Sequence, residues 1–136
     1  AIKSAARNNG FILGADTVVV HKNKILGKPA SIKEGISMLS QLSNSTHQVI
    51  SAIGLYHTET GHLTCRSEIA TVCFSDLSLQ DIHRYCDTKQ PLDKAGSYGI
   101  QDIPDHFIRH FTGSYYTIMG LPINSLLKLF KLYDIV

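Results

Sequence analysis

No run of 18 apolar residues occurs anywhere in the 136-residue chain, so the sequence offers no membrane-spanning helix. No basic stretch leading into an apolar one opens it, so it shows no secretory leader pattern. Charge of one sign is not in excess: 13 Lys and Arg against 11 Asp and Glu leave +2, too little to mark a nucleic-acid binder. The basic residues are dispersed and not interleaved with aromatics, which argues the same way. Cysteine is sparse. Cys65, Cys73 and Cys86 are odd in number and lack C-x-x-C spacing. That disfavours a disulfide framework and zinc knuckles and points to reduced thiols in a cytoplasmic protein. Repeats and low-complexity tracts are missing as well.

What is present is a chain 43% hydrophobic and 18% charged, the size and balance of one globular domain with a real core. It opens in mid-pattern. Residues 1–7 read as the end of a helix stopped by Asn8, Asn9 and Gly10, so an N-terminal piece is expected to be missing. Residues 11–21 form a strand with β-branched residues dense at its far end. Residues 22–24 turn, and Ile25 and Leu26 return as a short strand. Ser31 with Glu34 makes a capping box, and Ile32, Ile36, Leu39 and Leu42 keep helical spacing behind it, which predicts a helix over 32–42. Residues 46–56 and 63–75 are strands, and the Thr-Gly signal between them makes a hairpin. Residues 78–87 form a helix capped by Ser78. The stretch 89–104 is irregular, 107–111 is a strand and 112–116 turns. A last helix begins at Pro122 with Ile123, Leu126, Leu127 and Phe130 on one face. Helices mixed with long antiparallel pairs predict an α/β or α+β domain with a mixed sheet.

Three polar, glycine-marked segments interrupt these apolar ones: "GADT" with "LGKP", "SNSTHQV", and "DKAGSYGIQ". Each falls at a strand end or in a loop, where a rigid scaffold carries functional groups. Asp16, at the mouth of an apolar strand, is a candidate general base or Mg²⁺ ligand, or else an acid that bonds its own turn. Lys28, between Gly27 and Pro29, suits a phosphate oxygen, or else is a solvated turn lysine; the P-loop pattern fails, since position 22 is Lys and position 29 is Pro. His47, after Thr46, could contact a ligand or act as an acid, or serve structurally. In "DKAGSYGIQ", Gln101 can read a base edge with one donor and one acceptor, Tyr98 can wall a pocket, and Lys94 adds a cation. His106 and His110 stand four apart, but H-E-x-x-H fails because position 107 is Phe.

Taken in order, "GADTVV", "LGKP", "STHQV", "DKAGSYGIQ" and "GSYYTIMGLP" resemble the consecutive motifs of the Maf family of nucleotide pyrophosphatases, over nearly the whole chain. The resemblance implies a mixed α/β fold with an elongated twisted sheet, flanking helices and a central cleft, similar to the inosine triphosphatase type. It implies hydrolysis of a nucleoside triphosphate to the monophosphate and pyrophosphate with a divalent cation, Mg²⁺ or Mn²⁺. The "GADT" and "DKAGSYGIQ" forms look like the branch acting on dTTP and UTP. Asp16 would be the proton acceptor or metal ligand, Lys28 would neutralise phosphate charge, and Thr17 and Gln101 would help select the base. Lys94, Thr46 and His47 join them as candidate substrate-binding residues. The family's Ser-x-Ser-Pro-Arg-Arg motif is absent, so residues 1–136 are expected to be one domain without its N-terminal strand–helix segment. Members often form dimers, and a homodimer is the expectation here. A second function remains open at this point: a catalytically inactive nucleotide-binding or septum-regulating protein.

Overall fold

The computed structural model describes residues 10–136; the helix expected over residues 1–7 lies outside them. Five strands, β1 (Phe11–His21), β2 (Lys24–Leu26), β3 (Thr46–His57), β4 (Leu63–Phe74) and β5 (Ile108–Thr112), form one sheet in the order β2-β1-β3-β4-β5. Every pairing between these strands is antiparallel, so the described residues contain no parallel pair. The α/β character comes from the helices laid against the sheet: α1 (Ile32–Leu42), α2 (Leu79–Asp87), α3 (Tyr115–Met119) and α4 (Ile123–Leu132).

Local chemistry sets these elements. Lys22 and Asn23 both take positive φ, 48° and 62°, the two-residue turn whose twist matches a tight hairpin, and β2 folds back with His21 opposite Lys24. Ser31 accepts from Glu34 N at the start of α1, and the Glu34 carboxylate reaches back to Ala30 N at 2.7 Å, one residue earlier than the usual reciprocal partner. Along β3 the period of two is plain: His47, Val49, Ser51, Ile53 and Leu55 are buried, while Gln48 and Ala52 are exposed. That face meets the helices. Val19, Val49, Val72 and Phe74 pack with Leu39, Leu42, Ile82 and Phe107 in the main core. Ile53 and Leu55 pack with Leu126 and Leu129 in a smaller one. Ser51 is the polar residue on this face between Val49 and Ile53, and it is fully buried.

Two sequence readings change. On α4 the buried positions are Ser125, Leu126 and Leu129, while Leu127 is 45% exposed. The stripe follows three- and four-residue steps from Leu126, and Leu127 sits about 100° round the helix from it. The stretch after Thr112 is not only a turn: Ser114 accepts from Tyr116 N and starts α3, which Gly120 stops at φ 120°. His106 pairs with Asp81 at 3.2 Å, and His110 is exposed on β5. No group of three or more metal-ligating side chains occurs among the described residues. No helix among them is long and apolar enough to cross a membrane.

Candidate active site

A cleft of about 410 Å³ opens between β1, the turn at Gly27–Lys28, the loop over residues 93–101 and the end of α3. Asp16, Thr17, Lys28, Lys94 and Gln101 all line it. Thr46 and His47 do not.

Asp16 reaches the cleft because of how β1 is paired. β2 covers only Val19, Val20 and His21, so the edge of β1 before Val19 is bare of described strands. There the Thr17 amide donates to Asp16 Oδ1 at 2.9 Å instead of joining a ladder. The carboxylate therefore lies at the bare edge and is exposed. Alternation sends the Asp16 and Thr17 side chains to opposite faces of the strand, and the cleft wraps the edge to meet both.

The opposite wall is held by backbone. Gly96 N donates to Gly27 O at 3.1 Å, stitching the "LGKP" turn to the 93–101 loop. Lys28 Nζ then stands 3.2 Å from Asp93 Oδ1, with the two side chains 64% and 81% exposed. Such an exposed pair contributes about 0–1 kcal/mol, so Lys28 can exchange Asp93 for another anion at little cost. Asp93 is a cleft carboxylate that no sequence signal marked as Lys28's partner. At Gly99 an added Cβ would lie 2.8 Å from Asp102 Oδ2 and 3.4 Å from both Gln101 Oε1 and Lys94 Cε. The missing side chain is what lets those three polar groups converge.

His47 takes a structural place. Only 2% exposed, its Nε2 lies 2.7 Å from Tyr98 Oη, and its ring meets Phe74 edge to face. It anchors the tyrosine that walls the cleft. Burial, helped by nearby His21, pushes the His47 pKa down to about 4, so the ring is neutral near pH 7 and unsuited to hold a phosphate. Thr46 is exposed at the start of β3, opposite Cys73 and away from the cleft. The depressed value has a consequence for stability. The unfolded chain binds a proton at about pH 6.5 and the folded chain only near 4. Stability is therefore present above pH 6.5 and is lost as pH falls toward 4, by up to about 3 kcal/mol from this group. Urea unfolding at pH 7 and at pH 4.5 measures the loss, and His47→Gln should reduce the difference between the two.

Behind Thr17 runs a chain of hydrogen bonds that crosses the sheet. Thr17 Oγ1 is 2.7 Å from Ser51 Oγ, Ser51 donates to Thr117 O at 2.7 Å, and Thr117 donates to Glu68 Oε2 at 2.8 Å. Glu68 Oε1 accepts from Ser125 N at 2.8 Å, capping the first turn of α4, for which Pro122 offers no side-chain cap. Burial alone would raise the Glu68 pKa, but the bonds from Ser125 and Thr117 outweigh it and the value falls below the usual range. Ser51, Thr117 and Glu68 were invisible in the sequence because only strand register brings them into line.

Carboxylates and ammonium groups on the walls of one cleft suit a polyanionic ligand. The chain belongs to the Maf family: the family model described as Maf-like protein matches residues 1–133. It is 41% identical over 137 aligned positions to the dTTP/UTP pyrophosphatase of Clostridium perfringens (strain SM101 / Type A), covering 99% of this chain and 71% of that protein. It is 40% identical over 132 positions to the dTTP/UTP pyrophosphatase of Shouchella clausii, covering 97% and 68%. To that of Clostridium novyi it is 37% identical over 124 positions, covering 91% and 65%. The chain thus spans 65% to 71% of the length of these relatives.

Proposed function

We propose that this protein is a cytoplasmic nucleoside triphosphate pyrophosphatase that hydrolyses dTTP and UTP to the monophosphate and pyrophosphate. The observation that carries the reading is the single cleft that gathers Asp16, Thr17, Lys28, Lys94 and Gln101, in a chain whose relatives bear that activity in their names. In the reaction, water adds to the α-phosphorus, the bond to the bridging oxygen breaks, and pyrophosphate leaves. Asp16 accepts the water's proton as the new bond forms, with its carboxylate held in aim by the Thr17 amide. Lys28 and Lys94 offset the charge that builds on the phosphate oxygens. Gln101 meets the base edge with its amide donor, on a carbonyl of the pyrimidine.

A divalent cation fits this donor set in one particular way. Asp16 and Asp93 both line the cleft, and no third ligating side chain joins them among the described residues. One or two carboxylates beside a polyphosphate is how Mg²⁺ is commonly bound. Asp16 and Asp93 would hold the ion, Mg²⁺ or Mn²⁺, and it would supply further neutralisation of phosphate charge.

The test is pyrophosphate release from dTTP and UTP in Mg²⁺, by the native chain and by Lys28→Met. The native chain should release pyrophosphate and no orthophosphate. The variant should lose about 10- to 100-fold in kcat/KM, mostly through KM, because it removes charge that meets substrate before and during reaction. Orthophosphate as the product, or no product at all, sinks the proposal.

A further inference from the structure

We propose that Ser51, buried and out of reach of any ligand, sets base choice by locking the Thr17 hydroxyl as an acceptor toward the cleft. The inference deepens the dTTP/UTP reading and rests on it.

The argument is a count of hydrogens. A serine or threonine hydroxyl has one proton to give and lone pairs to receive. The Ser51 proton is committed: its contact with Thr117 O at 2.7 Å ends on a carbonyl, which can only accept. The 2.7 Å contact between Ser51 Oγ and Thr17 Oγ1 must then use the Thr17 proton. Among the described residues the one alternative for that proton is Gly120 O at 3.4 Å, also a protein acceptor. Choosing it would press two hydroxyl lone pairs together at 2.7 Å. Either way the proton points into the protein, and the half-buried Thr17 oxygen offers the cleft only lone pairs.

The lock is rigid. Ser51 and Thr117 are both fully buried, and the Thr117 hydroxyl is itself committed to Glu68. Gly120 closes over the same oxygen, since an added Cβ there would stand 3.3 Å from Thr17 Oγ1. Rotating any one hydroxyl would strand a buried acceptor, which is costly.

Uracil and thymine carry an N3–H donor between two carbonyls, whereas cytosine presents a bare N3 acceptor at the same place. An acceptor-only threonine bonds the first and repels the second. A site built around such a bond rejects the analogue lacking the donor far more strongly than a shape difference would allow.

The experiment measures calorimetric Kd for the non-hydrolysable α,β-methylene analogues of UTP and CTP, with Mg²⁺, alongside pyrophosphate release from UTP. The native chain should bind the uridine analogue at least about 10-fold tighter than the cytidine one. Thr17→Val should bring that ratio close to one by weakening uridine binding. Ser51→Ala leaves the Thr17 proton only the long 3.4 Å contact to Gly120 O, which a direct bond to a ligand acceptor can outbid, so cytidine binding should improve and the ratio should fall several-fold with Thr17 intact. Ser51→Thr, which keeps the hydroxyl, should restore it. If Ser51→Ala does not fold, Ser51→Cys, which keeps the side-chain shape with a larger atom and is a far poorer hydrogen-bonding partner, should relax the ratio likewise. A native chain that releases pyrophosphate but binds both analogues alike overturns the inference and leaves the activity standing. So does a ratio that collapses in Thr17→Val yet is unmoved by Ser51 substitution. A native chain that neither binds nor hydrolyses any nucleotide overturns the underlying reading and the inference together.

Discussion

Asp16→Asn should lower kcat for pyrophosphate release about 10²- to 10⁴-fold, the usual span for removing a positioned general base. The substitution is informative because it changes little else. Asparagine keeps the shape, and its Oδ1 can still accept from the Thr17 amide, the bond that fixes residue 16 at the bare edge of β1. The side chain is exposed, so no burial is disturbed and the thermal midpoint should hold. Without a divalent cation, triphosphate binding should be unchanged or tighter, since a negative charge facing phosphates has been removed; with Mg²⁺ it should weaken, since one of the two carboxylates that would hold the ion is gone. Steady-state kinetics with a separate Kd measurement separates these effects. If the variant stays within about 10-fold of the native kcat, Asp16 is not the proton acceptor, and Asp93 becomes the carboxylate to test.

Gly96→Ala should destabilise the protein by about 2–5 kcal/mol, a large share of a domain's typical 5–15. Two effects add. Gly96 sits at φ 67°, where a Cβ costs roughly 1–2 kcal/mol. The new methyl would also stand 2.9–3.0 Å from three atoms of the Val19 side chain. Val19 is 2% exposed in the main core and has nowhere to move, so overpacking adds about 1–3 kcal/mol. If the loop shifts to escape, the Gly96–Gly27 bond that sets Lys28 in place is lost, and activity falls along with stability. Gly14→Ala is the control: no described residue lies within 4 Å of its Cβ position. Urea midpoints for the two variants measure the contrast, and equal midpoints would remove the packing argument.

These two residues show what could be read from the chain. That Asp16 and Lys28 line one cleft was legible because an acid and an ammonium interrupt apolar, glycine-punctuated sequence, and because local propensity fixed the elements around them. The hairpin at Lys22–Asn23, the capped helix behind Ser31 and the long β3–β4 pair follow from neighbours in sequence, so their boundaries fell within one residue of those expected. Gly96 was visible as a glycine but not as a contact, since its reason is Val19, a residue on another element. His47 misled for a related cause. In sequence it follows a polar cluster and looks like a ligand group; in the fold it lies on the inward face of β3 and props Tyr98. Ser51 and Glu68 carried no signal, because a serine and a glutamate in strands become a network only once register aligns them with Thr17 and Thr117. The face of α4 was misread at Leu127 because four apolar residues crowd two turns, and only the sheet beneath decides which of them is covered.

The Lys28–Asp93 pair has one further consequence. With Asp16 and Lys94 on the same walls, the formal charges of the described cleft residues cancel. Such a mouth exerts little long-range pull on a free polyanion, and its capture rate should owe little to diffusional steering. The protein would instead favour a guest that arrives with its own counter-charge, sorting metal-laden from bare nucleotides before any bond to the base is made.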